Sequence, residues 1–148
     1  MPNVLIAEDE HTSQRIFQSA VERMGYRAVV RNNGREALEV LLRDRSFDLL
    51  ITDVMMPEMD GRELVRIMRT HSCMADIPVI VVSGKVGPKA IADLLDIGVT
   101  YFLSKPVDLG QLEAYMRQCV ARRRQTVGRQ FCQGIASLNC QGQSSLSA

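Results

Sequence analysis

The sequence predicts a doubly wound α/β sandwich, in which five parallel strands form one sheet and five helices cover both of its faces. Two observations carry this expectation. Short apolar runs alternate with amphipathic stretches five times along the chain. The runs are nearly continuous Val, Ile and Leu, so each strand is buried on both faces rather than one. Right-handed β-α-β crossovers then make the strands parallel and set helices on both sides.

The first strand falls near 3–7 and the first helix near 12–24, where Ile16, Ala20 and Met24 share a face and Gly25 marks the end. A strand near 27–31 leads to a helix near 34–44 carrying the pair Ala37/Leu41. The third unit is a strand near 48–52 and a helix near 61–71 with Leu64/Met68. The fourth is a strand near 78–82 and a helix near 88–97 with Ile91/Leu95, closed by Gly98. The last strand lies near 100–103, and a helix near 108–123 follows Pro106. Asp108 and Gln111 have the spacing of a capping box there, and Leu112/Met116 supply the apolar face.

A chain of 148 residues, 46% hydrophobic, suits one compact domain with a substantial core. Its apolar runs are far shorter than the roughly 20 residues that cross a bilayer. The N-terminus lacks a basic segment followed by an apolar one, so a soluble, cytoplasmic protein is expected. Cys73, Cys119, Cys132 and Cys140 show no metal-binding spacing and are expected to be plain thiols. Charge is uneven: residues 1–116 hold 13 basic and 17 acidic residues, while residues 117–148 hold five arginines and no acid. Periodicity fails past about residue 123, and residues 133–148 contain four Ser, three Gln and two Gly. The expected organisation is a domain over 1–123 and a mobile tail or linker over 124–148.

Polar residues gather where the strands end, the side on which open parallel sheets bind ligands. The first strand ends in Glu8-Asp9-Glu10, the third in Thr52-Asp53, the fourth in Ser83-Gly84 and the fifth in Ser104-Lys105-Pro106. Crowded carboxylates repel one another unless a cation lies between them, and an oxygen-only set without His or Cys favours Mg²⁺ over zinc. Mg²⁺ keeps several waters, so two carboxylates and a main-chain carbonyl suffice, with positions left for a phosphate oxygen. Lys105 suits a carboxylate in the empty site and a phosphoryl oxygen in the filled one. Ser83 can donate one hydrogen bond. Taken singly, each of these residues has an ordinary alternative as a helix cap, a solvated loop charge or a turn residue.

Their joint spacing is more telling. An acidic pair at 8 and 9, an aspartate 44 residues beyond Asp9, a hydroxyl 30 beyond Asp53 and a Lys-Pro beginning 22 beyond Ser83 resemble the receiver domain of two-component response regulators. The match covers residues 3 to about 122, and Asp53-Val54-Met55-Met56-Pro57-Glu58-Met59-Asp60-Gly61 resembles that family's phosphorylation loop. The resemblance implies a flavodoxin-like strand order 2-1-3-4-5. Asp53 would be the phosphoacceptor, with Mg²⁺ held by Glu8, Asp9, Asp53 and the main-chain carbonyl of Met55. Ser83 and Lys105 would bind the phosphoryl group, Phe102 would be the switch aromatic, and the Lys105-Pro106 bond would be cis. Glu8 replaces the aspartate often found first in the pair, and its longer side chain is expected to act through water. An aromatic in an apolar strand is also an ordinary core residue, so the switch role of Phe102 rests on the resemblance.

The implied function is acceptance of a phosphoryl group from a histidine kinase or phosphotransfer protein, not enzymatic turnover. The signal would pass through the fourth helix, fifth strand and fifth helix to a downstream protein, a second copy or an output domain absent from this chain. Two alternatives compete. An aspartate-nucleophile phosphatase resembling the haloacid dehalogenases uses a second acid two residues on, where this chain has Met55. A degenerate receiver-like module would lack Asp53, Asp9 or Lys105, and all three are present. Arg122-Arg123-Arg124 complements a helix C-terminus, and no nucleic-acid readout module follows it.

Overall fold

The computed structural model describes residues 1–84 and 86–124. Its elements run β1 (Asn3–Ala7), α1 (His11–Arg23), β2 (Arg27–Arg31), α2 (Gly34–Arg43), β3 (Phe47–Thr52), α3 (Gly61–Thr70), β4 (Val79–Ser83), α4 (Pro88–Asp96) and β5 (Tyr101–Ser104). A fifth helix, α5, occupies residues 109–124. The sheet has five strands in the order β2-β1-β3-β4-β5, and every neighbouring pair is parallel. The doubly wound architecture is as expected. The expected tail, from residue 125 onward, lies outside the described residues.

Alternation along each strand divides the core in two. Leu5 and Ala7 of β1 face Ala37 and Leu41 of α2 and Leu64, Val65 and Met68 of α3. Val4 and Ile6 face Phe17, Ala20 and Val21 of α1 and Leu112, Met116 and Cys119 of α5. All four β1 residues from Val4 to Ala7 are fully buried, which is why that strand reads as an unbroken apolar run. Burial pushes the Cys119 thiol up to about 12, more than nearby Arg122 lowers it, so Cys119 packs as a small apolar group. Cys73 and Cys119 are free thiols; Cys132 and Cys140 lie outside the described residues.

Gly25 and Gly98 stand one residue past the caps of α1 and α4, with φ of 80° and 100°. In each case two successive amides return to the last helical turn: Gly25 and Tyr26 to Glu22 and Val21, Gly98 and Val99 to Leu95 and Leu94. At α5 only one arm of the expected capping box forms, the Gln111 amide donating to Asp108 Oδ1 at 3.1 Å. β3 begins one residue earlier than expected. Its register against β1 shifts between Asn3 and Val4, pairing Asn3 with Phe47 but Val4 with Leu49. Phe47 thereby enters the α2/α3 core while Leu49 faces the other side. None of the helices among the described residues is long and apolar enough to cross a membrane.

Candidate functional site

The chain passes from β1 to β2 in one direction across the sheet and to β3 in the other, so a crevice opens at the carboxyl ends of β1 and β3. Glu8 and Asp9 follow β1. The Glu8 amide donates to the Arg31 carbonyl at 3.0 Å, and its side chain is fully buried, whereas Asp9 is exposed. Asp53 follows β3 and continues the ladder, its amide donating to the Ala7 carbonyl at 3.1 Å. The Asp53 side chain turns back on its own loop, where Oδ1 accepts from the amides of Val54 at 2.6 Å and Met55 at 3.3 Å. Thr52 Oγ1 donates to the Asp53 carbonyl at 2.8 Å. These bonds leave Asp53 little freedom to rotate.

Lys105, directly after β5, crosses to the acids. Its Nζ lies 2.6 Å from Glu8 Oε1 and 2.9 Å from Asp53 Oδ2. Burial opposes the Lys105 charge, yet hydrogen bonds to Glu8 and Asp53 outweigh it and raise the ammonium above its ordinary value. Burial pushes Glu8 up to about 7. Asp53 adds to the rise and Lys105 opposes it.

Carboxylate oxygens of Glu8, Asp9 and Asp53 all lie within 4.8 Å of one another. Glu8 Oε2 is buried with no hydrogen-bond partner among the described residues. A carboxylate oxygen in that position is costly unless something positive completes it. One ammonium against three acids leaves the cluster negative, and its donors are hard oxygens; the residues present fit a hard divalent cation.

The other expected residues lie on β4, on β5 and in the loop after β3. Ser83 closes β4 and is buried, its carbonyl accepting the Lys105 amide at 3.0 Å; no hydrogen bond among the described residues joins its hydroxyl to Asp53. Met55 is exposed and its amide faces Asp53. Phe102 is half-buried against the α2/α3/α4 core, and Tyr101 faces the other side as expected from strand alternation. Tyr101 stacks on Tyr115 with ring centroids 4.1 Å apart, and the Arg122 guanidinium sits 5.7 Å from its centroid. Arg122 therefore has an aromatic partner besides the helix terminus. The Lys105-Pro106 bond is cis, as expected.

Sequence reasoning passed over the backbone seat of Asp53. A Cβ on Gly61 would stand 2.1 Å from the Asp53 carbonyl oxygen, and the Gly61 amide donates to the Val54 carbonyl at 2.8 Å. The available signal was Asp60-Gly61, an N-cap followed by glycine: Asp60 Oδ1 accepts from the Glu63 amide at 2.9 Å.

Known proteins agree with this geometry. The profile of the response regulator receiver domain matches residues 4–117. The two-component response regulator ORR3 of Oryza sativa subsp. indica is 34% identical over 106 residues, 72% of this chain and 81% of that protein. Chemotaxis protein CheY1 of Helicobacter pylori is 35% identical over 104 residues, 70% of this chain and 84% of its own. The crystal structure of a response regulator receiver protein from Pseudomonas putida superposes with a TM-score of 0.75 at 32% identity, covering 79% of this chain and 96% of that one. With the strand order and acidic crevice described above, these matches establish that the chain belongs to the response regulator receiver domain family.

Proposed function

We propose that this protein is a phosphorylation switch that takes a phosphoryl group on Asp53 from a histidine kinase or phosphotransfer protein. The observation that carries the proposal is the convergence of Asp53, Lys105 and the incompletely bonded Glu8 in one crevice. A carboxylate oxygen of Asp53 attacks the phosphorus of the donor's phosphohistidine. The P–N bond breaks, its electron pair leaves with the imidazole, and a mixed anhydride remains on Asp53.

Glu8, Asp9, Asp53 and the Met55 carbonyl would hold Mg²⁺, which when bound offsets the negative charge of the transferring group. Lys105 exchanges a carboxylate partner for a phosphoryl oxygen, and the Ser83 hydroxyl donates to another. Movement of Ser83 lets Phe102 turn inward, changing the α4/β5/α5 face that a downstream protein, a second copy or a separate output domain would read. A groove of about 560 Å³ between α1 and the segment after β5, lined by Ile16, Phe17, Pro106, Val107 and Leu109, shares Lys105 with the crevice and offers the donor an apolar seat. One phosphoryl group is accepted per chain. We also propose a cytoplasmic setting, in keeping with the sequence's lack of an N-terminal basic segment followed by an apolar one.

The test is incubation with acetyl phosphate and Mg²⁺ followed by intact-mass analysis. The parent gains one acid-stable, base-labile phosphoryl group and Asp53→Asn gains none. Unchanged labelling of that variant, or labelling on serine, overturns the assignment.

A further inference from the structure

The turn between β2 and α2 carries none of the acids of the site, yet it is bonded to both loops that do. On one side the Arg31 carbonyl accepts the Glu8 amide at 3.0 Å. Next to it, Gln14 of α1 donates from Nε2 both to the Glu8 carbonyl at 2.5 Å and to Asn32 Oδ1 at 2.8 Å. On the other side the Gly34 amide donates to the Met59 carbonyl at 3.1 Å, inside the loop that begins at Asp53. A Cβ on Gly34 would stand 2.4 Å from that carbonyl oxygen, so the contact requires glycine. Asn33 fixes the start of α2 by accepting the Glu36 amide at 2.9 Å, which holds Gly34 in place.

We infer that Asn32–Gly34, together with Gln14, is a brace that sets the separation between the Glu8-Asp9 turn and the Asp53–Asp60 loop, and thereby the divalent-cation affinity of the site. The inference rests on the cation-assisted phosphoacceptor role proposed above. Gln14 and Gly34 are positioning residues, since neither contacts the carboxylates. Their action follows from geometry: a hard cation needs its oxygens at fixed distances, and a loop free to shift spreads them apart.

The experiment uses the full chain as parent, Gln14→Ala, Asn32→Ala, the double variant and Gly34→Ala. Mg²⁺ is titrated against backbone amide shifts, and stability is measured by urea in metal-free buffer. Gln14→Ala is expected to raise the Mg²⁺ dissociation constant about tenfold while moving the urea midpoint little, because it removes two side-chain bonds, one exposed and one partly buried, but no core residue. Asn32→Ala acts through Gln14, so the double variant binds no more weakly than Gln14→Ala alone. Gly34→Ala disturbs the opposite loop and weakens Mg²⁺ independently; should it fail to fold, the Gln14/Asn32 cycle decides. Mg²⁺ affinities of the folded Gln14 and Asn32 variants within twofold of the parent overturn the brace. A parent that binds no Mg²⁺ removes the functional proposal and the brace together, whereas a binding parent with unaffected variants removes the brace alone.

Discussion

Replacing Glu8 by Gln should remove the loss of stability that the metal-free protein undergoes as pH rises toward neutral, although it also removes one side of an ion pair. The Glu8 side chain is fully buried, and burial raises its carboxyl from 4.5 to about 7. The unfolded chain releases this proton near 4.5 and the folded protein only near 7. Stability from this group is thus intact below about pH 4.5, is lost as the pH rises to about 7, and is not regained above it. At about 1.4 kcal/mol per pH unit, that interval corresponds to about 3 kcal/mol. Gln keeps the size and one hydrogen-bond acceptor but does not titrate, and Lys105 retains Asp53 Oδ2 at 2.9 Å. Urea denaturation between pH 5 and 8 in chelator should therefore show the parent losing about 2 to 3 kcal/mol relative to Glu8→Gln as pH rises, with equal m-values. Parallel pH profiles for the two proteins would refute the reasoning, because every other titrating group is common to both.

The same proton competes with the cation, so the parent's Mg²⁺ affinity should fall as pH drops below about 7, by up to about tenfold per pH unit; a pH-independent affinity would separate Glu8 from the metal site. Asp9→Ala should reduce Mg²⁺ binding and phosphorylation more than Glu8→Ala, since exposed Asp9 is the proposed direct ligand and Glu8 acts through water; equal losses remove that ranking. Gly61→Ala should destabilise the fold by about 2–3 kcal/mol in urea and slow phosphorylation, because the added Cβ displaces the Asp53 backbone, and an unchanged variant would mean the loop relaxes freely. Ser83→Ala and Phe102→Ala should both permit phosphorylation but mute the beryllofluoride-induced amide shifts across α4, β5 and α5. Equal responses in parent and variants would break the proposed link between the two residues.

β1, β3 and β4 were legible because they are short, doubly buried apolar runs, whereas the edge strand β2, expected to be buried on both faces, is only half-buried. The i, i+4 pairs lie on the buried faces of α2, α3 and α5, but in α1 and α4 Ile16 and Leu95 are exposed and the core is filled by Phe17 and Val21 and by Leu94. The acids were legible because each follows a strand end directly. Less visible were contacts between residues distant along the chain. Nothing local distinguishes the fully buried Glu8 from exposed Asp9 beside it, since that depends on Lys105 arriving from 97 residues away. Gly34 and Gly61 look like ordinary residues at helix starts; their requirement comes from the carbonyls of Met59 and Asp53 packed against them. The Tyr101–Tyr115 stack was hidden for a related reason, because periodicity gives a helix's inner face but not its height along the strand it covers.

The Lys105 ammonium is, in effect, a resident competitor for the cation site. Tethered to the end of β5 and bonded to two of the three acids, it is present at a local concentration that no dilution can lower. The crevice consequently never waits as three bare carboxylates. On the proposed function, an incoming cation would compete with this internal charge for Glu8 and Asp53, which would weaken its hold. On that same proposal the ammonium would stay within reach of a phosphoryl group on Asp53, so the charge that pairs with the free carboxylate would also stabilise the phosphorylated one.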